Sequence, residues 1–221
     1  MELLYTAHVP PGDGPHPLIL ALHGWGASAH DLLGLAPILN GGGALVLCPQ
    51  GPLAFEIGQG FLGFGWFDLS QVRPPSASDI ERAADEVRGF LDGALARYPI
   101  DRRKIVLMGF SQGGVLAYEM ALRDPGRFAG LVALSSWLPK ELADTIPSQP
   151  ALENFPVFVA HGTQDPMIPI ARAQESRELL MKRGVNLTYR EYEMEHGIAP
   201  EALRDLVGWL DSKVLRTILI A

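Results

Sequence analysis

Ser111, Asp165 and His196 are residue types that together can activate a hydroxyl for attack on an acyl carbon. A serine hydroxyl is a poor nucleophile until a neighbouring imidazole removes its proton. A carboxylate behind the imidazole then fixes the tautomer and stabilises the cation that forms. Ser111 lies in "GFSQG" (109–113), a G-x-S-x-G in which a sharp strand-to-helix turn exposes the hydroxyl. With 24 glycines in 221 residues the pentapeptide is weak evidence by itself, so its context must support it. The same chemistry needs N–H donors for a developing oxyanion. Gln112, directly after the serine and near a helix N-terminus, offers one from its backbone. The second is expected from "LHGWG" (22–26), whose glycines let the backbone approach a substrate.

The elements that must position these residues are legible as apolar runs. "LILAL" (18–22), "ALVLC" (44–48), "IVLMG" (105–109), "GLVAL" (130–134) and "VFVA" (157–160) suit strands buried on both faces of a parallel sheet. Between them, Ser78 and Glu81 form an S-x-x-E capping box opening a helix with Ile80, Ala84, Val87 and Leu91 on one face. A second helix follows Ser111, and a third runs from about Ala171 to Arg183 with Gly184 as its stop. "LTYREY" (187–192) alternates like a strand near the sheet edge, and Pro200 opens a final helix. Strands alternating with helices predict an α/β doubly wound sheet in a single domain over residues 1–221. Ser111, Asp165 and His196 each fall just past a predicted strand, where an open parallel sheet gathers its reactive groups. Their chain order Ser, Asp, His is that of α/β-hydrolases. Asp68, Asp101 and Asp124 fit that order less well or precede the serine.

Several longer motifs add a resemblance. "LHGWGASAHDL" (22–32), "VLCPQGP" (46–52), "GWFDL" (65–69), "GFSQGG" (109–114), "ALSSWLP" (133–139) and "HGTQDPMIP" (161–169) occur in the order of the phospholipase/carboxylesterase family. The likeness runs from about Leu18 to Leu210. It implies an α/β-hydrolase fold, a mostly parallel sheet with helices on both faces, with Ser111 as nucleophile, Asp165 as orienting acid and His196 as base. It also implies an oxyanion hole made by the backbone N–H groups of Trp25 and Gln112. Because Gln112 would act through its backbone, its side chain is expected to matter far less than that of Ser111. The chain departs from the family at Glu195, where a glycine commonly precedes the histidine, and in "VLRTILIA" (214–221), which has no clear counterpart.

The remaining candidates have plainer readings. His8 and His16 fall in an exposed N-terminal segment, His30 in a loop or at a helix start, and His23 and His161 in H-G pairs that suit structural hydrogen bonds. None of the spacings suggests a metal site, and no cofactor is implied. Cys48 reads as a small buried residue at a strand end. Trp66, Phe67 and Trp137 suit either the core or a pocket wall. In "EIGQGFLGFGWFDL" (56–69), glycines alternate with Phe61, Leu62, Phe64 and Trp66 on a connection too long for a simple turn. Such a loop is expected to form one wall of an acyl pocket beside Ser111.

Composition bounds the partners. A net charge of −7 weighs against nucleic acid and anionic membranes, and 48% hydrophobic with 19% charged residues is the balance of a soluble globule. One cysteine forms no intrachain disulfide, and neither a signal peptide nor a membrane-length apolar run is evident, so a cytoplasmic location is expected. The reading is a serine carboxylesterase acting on a small-molecule ester of open acyl length through an acyl-enzyme, with room for a homodimer. One alternative is a thioesterase or lysophospholipase acting on longer acyl chains. Another, of a different class, is a ligand receptor on a hydrolase scaffold.

Overall fold

The computed structural model describes residues 3–69 and 75–215. Among the described residues, seven strands make the central sheet: β1 (Tyr5–His8), β2 (His16–Leu22), β3 (Leu45–Pro49), β6 (Ile100–Phe110), β7 (Gly130–Leu134), β8 (Pro156–Gly162) and β9 (Asn186–Tyr192). Their order is β1-β3-β2-β6-β7-β8-β9, and only β1 runs antiparallel to its neighbour. The remaining strands, β4 (Leu53–Gly58) and β5 (Phe61–Gly65), pair with each other as a hairpin outside this sheet, and Phe64 of β5 also bridges to Ala27. The helices are α1 (Ala77–Arg97), α2 (Gln112–Arg123), α3 (Lys140–Thr145), α4 (Ile170–Met181) and α5 (Pro200–Trp209).

The continuous apolar runs are explained by two cores. Along β2, Leu18, Leu20 and Leu22 enter one core while Ile19 and Ala21 enter the other. Leu107 and Met108 in β6, and Val157 and Phe158 in β8, divide in the same way. A strand alternates sides with a period of two, so a strand covered on both faces must be apolar throughout. The first core is closed by α1, α2, α3 and α4, and the second by α5 and the turns around Leu32–Leu39. Burying one such Leu or Val side chain contributes about 1.5–3 kcal/mol, which sets the strand register firmly.

Three expectations are revised. The capping box of α1 is Ser76 with Asp79, not Ser78 with Glu81. The segment holds two overlapping Ser-x-x-acid frames, and the earlier one brings Ala77, Ser78 and Asp79 into the helix. The N-terminal segment is not simply exposed: His8 lies in β1 and bonds to Gly42 O, while His16 opens β2 and is buried. The connection 56–69 is largely the β4–β5 hairpin rather than a loop. Of the C-terminal stretch 214–221, residues 216–221 lie outside the described residues, and Leu215 is buried in the second core. Among the described residues, no helix is long and apolar enough to cross a membrane.

The helix that begins at the candidate nucleophile is tied down by a buried carboxylate. Glu119 of α2 has no exposed surface and accepts hydrogen bonds from Arg123 Nε (2.7 Å) and from the Arg88 guanidinium of α1. Burial pushes its carboxyl above the usual range, with both arginines pulling the other way. Replacing Glu119 with alanine removes the buried acceptor shared by two guanidiniums, which keep Asp85 (Arg88) and Thr145 (Arg123) as partners. Because the guanidiniums reach solvent, the expected loss sits at the low end for a broken buried pair, about 3 kcal/mol. That corresponds to a fall in Tm of roughly 6–12 °C, read by thermal unfolding. An unchanged Tm would show the pair to be idle.

Candidate active site

Ser111 sits at the carboxyl end of β6, the central strand, and opens α2. Its backbone is left-handed, φ 51° and ψ −117°, a conformation that costs on the order of 1–3 kcal/mol and persists only where the surroundings enforce it. The enforcement is visible. Ser111 N–H donates to Leu134 O (2.9 Å), and Ser111 O accepts from Ser136 Oγ (2.7 Å) and Gly114 N–H (3.0 Å). The motif's glycines are steric necessities. A Cβ on Gly113 would lie 2.1 Å from Leu22 O, and one on Gly109 would lie 2.3 Å from the Gly113 carbonyl carbon. The turn closes only because both lack side chains.

Asp165 follows β8 and His196 follows β9. They meet: His196 Nδ1 lies 2.7 Å from Asp165 Oδ2. The other carboxylate oxygen, Oδ1, accepts from Met167 N–H and Ile168 N–H, both at 2.9 Å. Burial, the largest influence on Asp165, would raise its carboxyl. The His196 hydrogen bond and the Ile168 and Met167 N–H groups together outweigh it and hold the acid below the usual range. An ionised acceptor at Oδ2 requires the proton on His196 Nδ1, which leaves Nε2 free as a base. The imidazole packs on Phe110, the residue before Ser111, with ring centres 5.0 Å apart. The Glu195 side chain is exposed.

The loop after β2 crosses the same point. A Cβ on Gly24 would lie 3.2 Å from the Ser111 Cβ and 3.0 Å from the Phe110 ring. Trp25 follows, and its indole stacks on Phe55 with ring centres 4.1 Å apart. Gln112 is the first residue of α2, so its N–H has no acceptor within the helix. Its side chain is fully buried, which the motif alone did not suggest: Oε1 accepts from Trp66 N–H (2.9 Å) and Nε2 donates to Phe67 O (2.6 Å).

The hairpin residues divide by face. Cross-strand partners share a face, so Leu53, Phe55, Gly63 and Gly65 lie on one and Ala54, Glu56, Leu62 and Phe64 on the other. Trp25 belongs to the first, because a Cβ on Gly65 would lie 2.4 Å from its ring. Alternation puts Phe61 on that face too, 67% exposed. Trp66 is a core residue: it is buried, and its indole N–H donates to His23 O (2.9 Å). Phe67 is buried as well. Trp137 follows Ser136 and is half-buried beneath the Arg172 guanidinium, 5.6 Å from the ring centre. Phe55 carried no sequence signal, since only the register reveals its stacking on Trp25.

The other histidines and Cys48 have structural surroundings. His161 Nε2 lies 2.8 Å from Ile168 O and 3.5 Å from Asp165 Oδ2, supporting the loop that carries the acid. Burial pushes the Cys48 thiol up to about 12, with a Thr6 hydrogen bond opposing, which keeps it protonated and a poor nucleophile. His23 Nε2 accepts from Gly51 N–H (2.9 Å), so its proton sits on Nδ1, 2.7 Å from Gly24 O. Burial lowers the His23 titration, against smaller raising effects of Gly24 and Asp31. The unfolded chain therefore takes up this proton first. The stabilising contribution is complete above the unfolded value, about 6.5, and is lost as pH falls below it towards the lower folded value. Thermal unfolding from pH 7.5 to 5 is expected to fall more steeply for the wild type than for His23→Gln, whose amide oxygen can still accept from Gly51. Parallel curves would rule this out.

The chain is similar to known proteins over nearly its whole length. The phospholipase/carboxylesterase family model matches residues 5–213. The acyl-protein thioesterase 1 of Mycosarcoma maydis is 28% identical, covering 97% of this chain and 99% of its own. The Bacillus cereus carboxylesterase superposes with a TM-score of 0.77 at 27% identity over 91% of each chain. The esterase PE8 shares the fold with a TM-score of 0.83 at 23% identity, covering 97% of this chain and 100% of its own. With a strained serine turn at the centre of an α/β-hydrolase sheet and a family match across nearly its whole length, the chain belongs to the phospholipase/carboxylesterase family of esterases and thioesterases.

Proposed function

We propose that the protein is a serine carboxylesterase that hydrolyses carboxylic esters through an acyl-enzyme. The observation that carries this reading is the 2.7 Å His196–Asp165 pair, packed on Phe110 beside a serine held at φ 51°. Ser111 Oγ attacks the ester carbonyl as His196 Nε2 takes its proton. The tetrahedral oxyanion is met by the backbone N–H groups of Trp25 and Gln112, each donor worth about 3 kcal/mol in comparable sites. His196 returns the proton to the leaving alkoxide, and the acyl group stays on Ser111. Water then loses a proton to His196 and attacks the acyl carbon, restoring the serine and releasing the acid. Asp165 holds the productive tautomer throughout. No cofactor takes part.

The acyl wall in this reading is Trp25, Phe55, Ile57 and Phe61, on one face of the hairpin, rather than Leu62, Phe64 and Trp66. Ile57, whose Cγ2 would lie 2.5 Å from a Cβ on Gly63, and Phe61 are exposed on the hairpin face that carries the Trp25–Phe55 stack, and this favours acyl groups longer than acetate, the thioesterase-like reading. The test is a series of p-nitrophenyl esters from acetate to palmitate. Steady turnover is expected, with kcat/KM rising up to roughly fourfold per methylene covered, from about 0.8 kcal/mol each. Phe55→Ala should flatten that rise. A single burst without turnover would instead favour a receptor, and an equal loss at all lengths would remove the wall.

A further inference from the structure

We propose that the Gln112 carboxamide is a positioning residue that couples the acyl wall to the oxyanion hole. The inference rests on the serine esterase reading above. Gln112 would then do two jobs: its backbone N–H faces the oxyanion, while its side chain grips the end of the hairpin. The grip has a single orientation. Trp66 N–H can only donate and Phe67 O can only accept, so the amide cannot be reversed. Both partners lie just after β5, and the amide is fully buried. The other end of the hairpin is fixed similarly, with Gly51 N–H, just before β4, donating to His23. The Trp66 indole N–H adds a bond to His23 O. Gly26 N–H donates to Phe64 O and Phe64 N–H to Ala27 O, both at 2.9 Å, so the loop carrying Trp25 is itself laced to β5.

Among the described residues the hairpin thus has no pairing with the main sheet, yet its ends meet the two segments that carry the oxyanion donors. Its placement beside Gln112 and His23 is set through these few bonds. A Cβ on Gly65 would lie 2.4 Å from the Trp25 ring and 3.4 Å from Gln112 Oε1, so the Trp25 face and the Gln112 anchor both pack close against Gly65. A shift of the anchor moves the Trp25–Phe55 stack relative to the bound acyl carbon. Displacements of about 1 Å at such sites are enough to cost up to a hundredfold in rate. Satisfying two buried backbone groups would by itself stabilise the fold but leave discrimination between acyl chains untouched.

The experiment compares kcat/KM for p-nitrophenyl octanoate and acetate between pH 6 and 8. Their ratio cancels the protonation of His196, which both substrates need equally. Gln112→Met fills the same volume without either hydrogen bond, and its octanoate-to-acetate ratio is expected to fall about tenfold or more at every pH. Gln112→Glu keeps the acceptor for Trp66 and regains a donor for Phe67 O only when protonated. Its ratio is expected to recover towards the wild-type value as pH falls, while the wild-type ratio stays flat. If the methionine variant does not fold, Gln112→Asn, a methylene too short for the grip, should show the same loss. A folded methionine or asparagine variant with the wild-type ratio overturns the proposal, whatever its Tm. Ser111→Ala is measured alongside: if it still turns over both esters, the esterase reading itself fails, a result separate from the behaviour of Gln112.

Discussion

Ser111→Ala is expected to lower kcat by about 10⁶ while leaving the fold unchanged. The expectation follows from what each Ser111 atom does. Its backbone N–H and carbonyl hold the turn through Leu134, Ser136 and Gly114, and alanine keeps all three bonds. Its Cβ already fits against Gly24. The strained φ is paid equally by both residues, so Tm should move by less than the equivalent of about 0.5 kcal/mol. Only the hydroxyl is lost, and with it the acyl-enzyme. Turnover of p-nitrophenyl acetate and labelling by a fluorophosphonate read the effect together. A folded variant that keeps even a hundredth of wild-type turnover would place the nucleophile elsewhere.

Asp165→Asn comes next in size, with an expected loss of about 10⁴ in kcat, the cost seen when a triad histidine is held in the wrong tautomer. The surroundings dictate which way the amide points. Met167 N–H and Ile168 N–H both donate to Oδ1, so the asparagine oxygen must occupy that position. The NH₂ group then faces His196 Nδ1, where Oδ2 had accepted. A donor there forces the imidazole to carry its proton on Nε2, and the base is gone. Asp165→Ala leaves both tautomers open to the imidazole, although it also removes the acceptor of the two loop N–H groups. Single-turnover acylation with p-nitrophenyl acetate measures the step directly. Acylation in the asparagine variant within tenfold of wild type would show that Asp165 does not set the tautomer.

The sheet and the order of the candidate triad were legible in the chain because each depends on local or strongly periodic signals. "LILAL", "IVLMG" and "VFVA" are apolar throughout since both faces of β2, β6 and β8 are covered. G-x-S-x-G is readable for a comparable reason: the backbone at Ser111 is possible only with glycine at 109 and 113. The antiparallel β1 was not readable, because a half-buried edge strand carries a weak pattern, and "YTAH" has almost none. The choice between Ser76 and Ser78 as the cap was also closed to sequence, since both frames satisfy the same local rule.

The sequence by itself determined where strands end, and so where Ser111, Asp165 and His196 stand along the chain. Tertiary structure alone decided which way side chains face. The glycines and aromatics of 56–69 are compatible with a loop or a hairpin, and only the pairing of Phe55 with Gly63 sorts them into two faces. That register places Phe55 and Phe61 on the side of Trp25, turns Leu62 and Phe64 away, and sends Trp66 into the core. Gln112 makes the same point at one residue. Its place after the serine announces a backbone donor, but its side chain acquires a role only when residues 66 and 67, distant in sequence, arrive to meet it. Hydrogen-bond partners so far apart in the chain leave no periodic trace, because what brings them together is the packing of the whole fold and not the local preference of either segment.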